Sequence, residues 1–185
     1  MKVIIFALCI LFFSNNLSSQ EMFSVDFFAD PKMAIKKDGH GNNPFTLDLL
    51  VNYSFQFEQR ALGYYSIGQS VEYADLDAGK YMRFSFIQVG YTFNRFVTDR
   101  LETTIALNYG MIRRWSKGYT NYGGNFDIAY ALTNGLKVTS LFQLVRRVDL
   151  ENPVKRNAIY RFSIFLGLKF NISKVTMIKS YLLNC

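Results

Sequence analysis

Histidine occurs once in the 185 residues, tryptophan once, cysteine twice and proline three times. Each scarcity closes off a class of chemistry. A zinc-type site needs three or four Cys, His or carboxylate ligands held together, and His40 with one or two thiols cannot supply the usual set. A Ser-His-Asp hydrolase, or a lipid-modifying enzyme built on the same logic, would have to use His40. That residue lies beside Asp38 in the loop Asp38-Gly39-His40-Gly41-Asn42-Asn43-Pro44, with no serine close in sequence, so it reads as a solvated loop histidine. Gly39-x-Gly41 and Gly123-Gly124 follow no phosphate-loop spacing. No catalytic residue, metal or cofactor is expected. Beyond residue 13 no apolar run approaches the roughly 20 residues of a spanning helix. The formal charge is +7, yet the basic residues are scattered singly or in pairs such as Arg113-Arg114 and Arg146-Arg147. Without a basic helix or stripe to track phosphates, nucleic acid is not an expected partner.

What is present begins with a targeting segment. Met1-Lys2 gives a positive start, Val3–Phe13 an apolar core too short to span a bilayer, and Ser14–Ser19 a polar stretch with small residues near a cut after Ser19. Residues 1–19 are therefore expected to be a cleaved signal peptide. Cys9 leaves with it, so Cys185 remains as a single thiol and no intramolecular disulfide is possible.

Half the residues are hydrophobic and 17% are aromatic, but they are dealt out in alternation. From Phe45 to Glu58 the odd positions read Phe, Leu, Leu, Val, Tyr, Phe, Phe, and the even positions are polar except Leu50. Successive side chains on a strand point to opposite faces, so one face is apolar and the other polar. The run far exceeds the usual strand of about five or six residues; it suits a tilted membrane crossing of about nine to eleven residues plus overhang. Seven further segments alternate in the same sense: 22–35 (with Phe28 out of phase), 62–76, 81–93, 101–115, 122–132, 136–149 and 159–172. In the fourth the phase slips between Phe86 and Val89, which a β-bulge near Ile87–Gln88 would absorb. The links after Glu58, Phe93 and Leu132 are expected to be short, the other four equal or longer, as for barrels with short periplasmic turns and longer external loops.

The expected fold is all-β: an eight-stranded antiparallel up-and-down transmembrane barrel over residues 20–172, with 173–185 a C-terminal tail. Orientation follows from volume. The interior of an eight-stranded barrel is just wide enough to be filled by side chains, so rows of Phe, Leu and Tyr must face lipid. Small, polar and charged residues then fill the lumen, with Asp26, Asp48, Glu72, Arg83, Glu102, Arg114, Asp127, Arg147, Arg161 and Lys169 forming a mixed-sign, ion-paired network. Glu58 and Lys137 share that parity. Tyr73, Tyr81, Trp115 and Tyr122 at one rim, with Phe93, Phe170, Phe57 and Tyr64 at the other, are expected to form aromatic girdles.

Signal peptide, eight alternating strands and loop rhythm together resemble the small outer-membrane barrels of the OmpA transmembrane-domain, OmpX and OmpW kind. The resemblance covers about residues 22–172 and is architectural; no family-specific motif is matched. Those proteins usually end at an aromatic residue of the last strand, whereas Phe170-Asn171-Ile172 is followed here by Ser173–Cys185. The resemblance implies a non-catalytic, monomeric protein of a Gram-negative outer membrane, an envelope anchor or surface-interaction protein. Its expected partners are membrane lipid, lipopolysaccharide and the outer-membrane assembly machinery. The alternatives are a narrow, porin-like channel for small or hydrophobic solutes and, less favoured, a lipid-modifying enzyme.

Overall fold

A computed structural model describes residues 22–31, 47–60, 62–76, 79–94, 98, 100–114, 116–150 and 159–173. The expected signal peptide, the loop bearing His40, Trp115 and the tail beyond Ser173 lie outside these residues. The strands are β1 (Met22–Ala29), β2 (Leu47–Arg60), β3 (Gly63–Leu76), β4 (Gly79–Asn94), β5 (Leu101–Arg114), β6 (Lys117–Ala131), β7 (Leu136–Arg146) and β8 (Tyr160–Ser173). Each pairs antiparallel with its chain neighbours, and β1 pairs with β8 to close the barrel. Closure leaves no strand edge exposed, which a sheet immersed in hydrocarbon requires.

The stagger follows from the register. Pairings run from Ser24 through Ser54, Gly68, Gln88, Asn108, Gly123 and Val145 to Arg161. On the other side, Ser24 itself pairs with Asn171 of β8, ten residues away from Arg161. Such an offset tilts the strands by about 40° and leaves room inside for side chains rather than an open pore.

The expected bulge is present one residue earlier than the sequence suggests. Between Ser85 and Gln88, Phe86 and Ile87 together face Gln69, and both are exposed. Two successive apolar residues thus reach the outer face, and Gln88 returns to the interior. Across the seam sits Gly110, where a Cβ would collide with the Phe84 carbonyl.

Three expectations about the ends are corrected. β1 stops at Ala29 rather than running on to residue 35, held by a 3.0 Å hydrogen bond from Asp30 N to Asp48 O, which puts Pro31 just past the strand end. β6 begins at Lys117, not Tyr122, because its pairing with β5 continues to Arg114↔Lys117. β7 ends at Arg146, and Val148–Leu150 turns as a single 3₁₀ helix. The loop rhythm changes accordingly. The β3–β4 and β5–β6 links span only 77–78 and 115–116, shorter than the 95–100 and 132–135 links at the opposite end. The long connections at the first end are those over 30–46 and 147–159. They flank the β8–β1 seam, so this end has a high wall of long strands on one side and a low wall under the long connections on the other.

Candidate functional site

Alternation carries through the barrel, and the inward faces hold most of its charge. Asp26, Asp48, Glu72, Arg83, Asp127, Lys137, Arg147 and Lys169 are buried, while Glu102, Arg114 and Arg161 are partly so. The side chain of Glu58 lies outside the described residues.

These groups gather at two levels. Nearer the end that holds the β2–β3 turn, Asn52 Nδ2 donates to Asp26 Oδ2 at 2.9 Å, and Lys169 is the cross-strand partner of Asp26. Lys169 Nζ lies 3.8 Å from Asp127 Oδ2, and the Thr139 hydroxyl donates to Asp127. Lys137 Nζ lies 2.5 Å from Glu102 Oε1, while Tyr64 donates to Glu102 Oε2 at 3.3 Å. Nearer the other end, Arg83 Nε donates to Glu72 Oε2 at 2.8 Å and Tyr81 donates to the second oxygen, Oε1. Asp48 sits in the field of Glu72, Arg161, Asp30 and Arg83.

Between the levels, apolar and amide side chains share the interior. Phe28 and Leu50, the two apolar residues out of phase in the sequence, pack with Leu141 and Phe165 as a buried cluster. A second cluster, Ala74, Tyr81, Ile112 and Val145, lies at the level of Glu72 and Arg83, with Ile112 the cross-strand partner of Arg83. Amides fill beside the first cluster: Asn108 donates to Asn125 at 3.1 Å, and Asn125 donates to Gln88 at 3.3 Å. The cavity left at mid-barrel measures about 20 Å³, room for roughly one water.

Above the second level lies a clasp that sequence alternation did not reveal. Arg147 points inward just past β7 and grips Asp149 through Nε and Nη2, both at 2.8 Å. Arg114 Nη1 reaches the same carboxylate at 3.3 Å, and the Arg147 guanidinium lies 4.2 Å over the Tyr81 ring. Burial alone would raise the Asp149 carboxyl; the hydrogen bonds and charge of Arg147, with the charge of Arg114, outweigh it and leave it below the usual aspartate value.

Outside, the greasy faces are open. Leu107 is 71% exposed and Phe162 54%, with Leu49, Phe55, Ile67, Ile105 and Leu166 also exposed. A polar side chain on this face is satisfied locally, since Tyr53 donates to Gln69 at 2.9 Å. Of the expected girdle, Tyr122 and Phe170 are exposed, and Tyr73 and Phe93 half-buried, all with outward parity. Tyr81 and Tyr64 are corrections: both are buried, because the register gives them interior parity and their hydroxyls reach Glu72 and Glu102. At the rim that holds the β2–β3 turn, Phe57 and Phe93, expected in the girdle, join Tyr65 and Tyr91, which were not, in a ring row Phe57–Tyr65–Tyr91–Phe93 with successive centroids 6.3, 4.9 and 4.8 Å apart.

No protein-family model matches the chain, and no curated protein matches it in sequence. Solved structures do share its architecture. Neisserial surface protein A aligns with a TM-score of 0.50 at 7% identity, over 81% of this chain and 96% of that one. The Yersinia pestis outer membrane protein Ail, determined in a phospholipid bilayer nanodisc, aligns with a TM-score of 0.51 at 12% identity, over 83% of this chain and 100% of that one. At such identities the likeness is one of fold. The chain has the fold of the small eight-stranded outer-membrane β-barrels.

Proposed function

We propose that this protein is an integral, non-catalytic outer-membrane barrel, exported by a cleaved signal peptide, that seals its own lumen and serves as an envelope anchor or surface-interaction module. One observation carries the reading: a closed barrel whose apolar rows are exposed and whose charges are buried. That arrangement is uphill in water and downhill in a bilayer. Its working surface would be the end bearing the 30–46 and 147–159 connections, beside the β8–β1 seam. The filled interior favours an anchor over a conduit, because both charged levels are engaged in cross-strand contacts and the layer between them, an apolar cluster beside hydrogen-bonded amides, leaves a cavity of only about 20 Å³.

The test is fractionation of cells expressing the full chain. The mature protein is expected with the outer membrane, extracted only by detergent, shorter by the N-terminal segment and shifted in gel migration on boiling. A product that stays soluble and monomeric without detergent would overturn the proposal. Purified barrel in a planar bilayer is expected to pass no steady current.

A further inference from the structure

The outer surface differs between the two ends. At the end that holds the β2–β3 turn the outward positions carry rings and aliphatics, among them the Phe57–Tyr65–Tyr91–Phe93 row. At the end with the long connections, cations stand outward on several strands: Lys80 on β4, Arg113 on β5 and Arg146 on β7, the last laid over Tyr122 at 5.5 Å from its ring. Two of them border a groove of about 530 Å³ on the outside of the wall, lined by Tyr73, Gly79, Lys80, Tyr81, Met82 and Arg113. Its lower part is apolar and continuous with the lipid-facing surface; its upper part is charged. Gly79, at φ 110°, takes a backbone conformation that side-chain-bearing residues rarely adopt, and it contributes no side chain to close the groove. Lys80 Nζ lies 2.7 Å from Asp75 Oδ2 and also meets the Tyr73 hydroxyl, which leaves one of its three N–H donors open. Arg113 is exposed and offers a planar fork suited to a phosphate.

The geometry points to a binding site for a phosphorylated membrane lipid, its phosphate between Lys80 and Arg113 and an acyl chain along Tyr73 and Met82. This rests on the membrane-embedded reading above and deepens it, naming a lipid of the leaflet at the long-connection end as a partner. The position argues for a lipid rather than a free anion, because the cations stand over an apolar trough that a free phosphate would not fill.

The experiment is native mass spectrometry of the detergent-solubilised full-length mature barrel, titrated with bis-phosphorylated lipid A and with the same lipid stripped of its phosphates. Wild type is expected to retain the phosphorylated form in preference. Lys80→Gln and Arg113→Gln should each weaken it about threefold, and the double variant about tenfold, as partly exposed ion pairs do. Arg100→Gln, at the opposite rim, is the charge-matched control for the single changes and should leave binding unchanged. Folding is monitored by the boiling-dependent gel shift. A folded double variant that still prefers the phosphorylated lipid as wild type does would overturn the site, as would equal retention of the stripped lipid by wild type. Neither result touches the membrane reading, which fails only if the gel shift and detergent requirement are absent.

Discussion

Arg83 is fully buried against Glu72, whose other oxygen accepts from Tyr81. Removing one partner of such a pair strands the other charge, so Glu72→Gln is expected to destabilise by about 3–5 kcal/mol. Replacing both, as Glu72→Leu with Arg83→Met, should cost markedly less, since a well-packed apolar pair spares both desolvation penalties. Urea unfolding of the detergent-folded barrel, read through the gel shift as a double-mutant cycle, checks the coupling. Asp149 gives a pH signature. Its carboxyl is held below the unfolded value of about 3.9, so the clasp contributes stability above that pH and loses it as pH falls through the lowered folded value. Asp149→Asn should therefore weaken the barrel at neutral pH, and its stability curve should approach that of wild type below about pH 4.

At the scale of elements, parity is the controlling variable. The extra residue in β4 is absorbed on both sides at the same place, opposite Gln69 of β3 and between Gly110 and Tyr109 of β5. Deleting Phe86 would restore one-to-one pairing and leave Ser85 inside, Ile87 outside and Gln88 inside; such a variant is expected to fold. Deleting Leu107 from unbulged β5 would turn one half of the strand inside out and expose Asn108 or Glu102 to lipid. That variant should fail to give the folded gel band. A milder probe of the same face is Leu107→Arg, at mid-strand and 71% exposed. A cation facing the bilayer midplane is expected to cost about 2–4 kcal/mol, measurable as a lowered urea midpoint in lipid vesicles.

For the molecule as a whole, the two ends and the two surfaces have separate physical origins. Interior volume excludes the large apolar rows, so they face out; a cross-strand partner for nearly every inward charge makes the filling tolerable. The interior is also stratified, with charged levels on either side of Phe28, Leu50, Leu141 and Phe165. Substituting Leu50 and Leu141 together with serine should open that layer to water. The expected outcome is a small conductance in planar bilayers that wild type lacks; a silent double variant would show that the charged levels seal the lumen by themselves.

The sequence by itself determined the strand count, the up-and-down order, which charged residues face inward and the presence of a bulge, because a period of two on a closed antiparallel barrel leaves little else to specify. Phe28 and Leu50 were visible there as breaks in the alternation. Only the tertiary structure showed that they meet Leu141 and Phe165 across the β8–β1 seam, since that contact depends on closure with a ten-residue stagger accumulated over eight pairings. The strand ends were likewise out of reach of local pattern. Lys117–Asn121 reads as loop by composition, yet it is strand because β5 is there to pair with it. The inward turn of Tyr64 and Tyr81, the Arg147–Asp149 clasp and the outer groove beside Lys80 and Arg113 all join residues through register, and register is a property of the closed sheet rather than of any one strand.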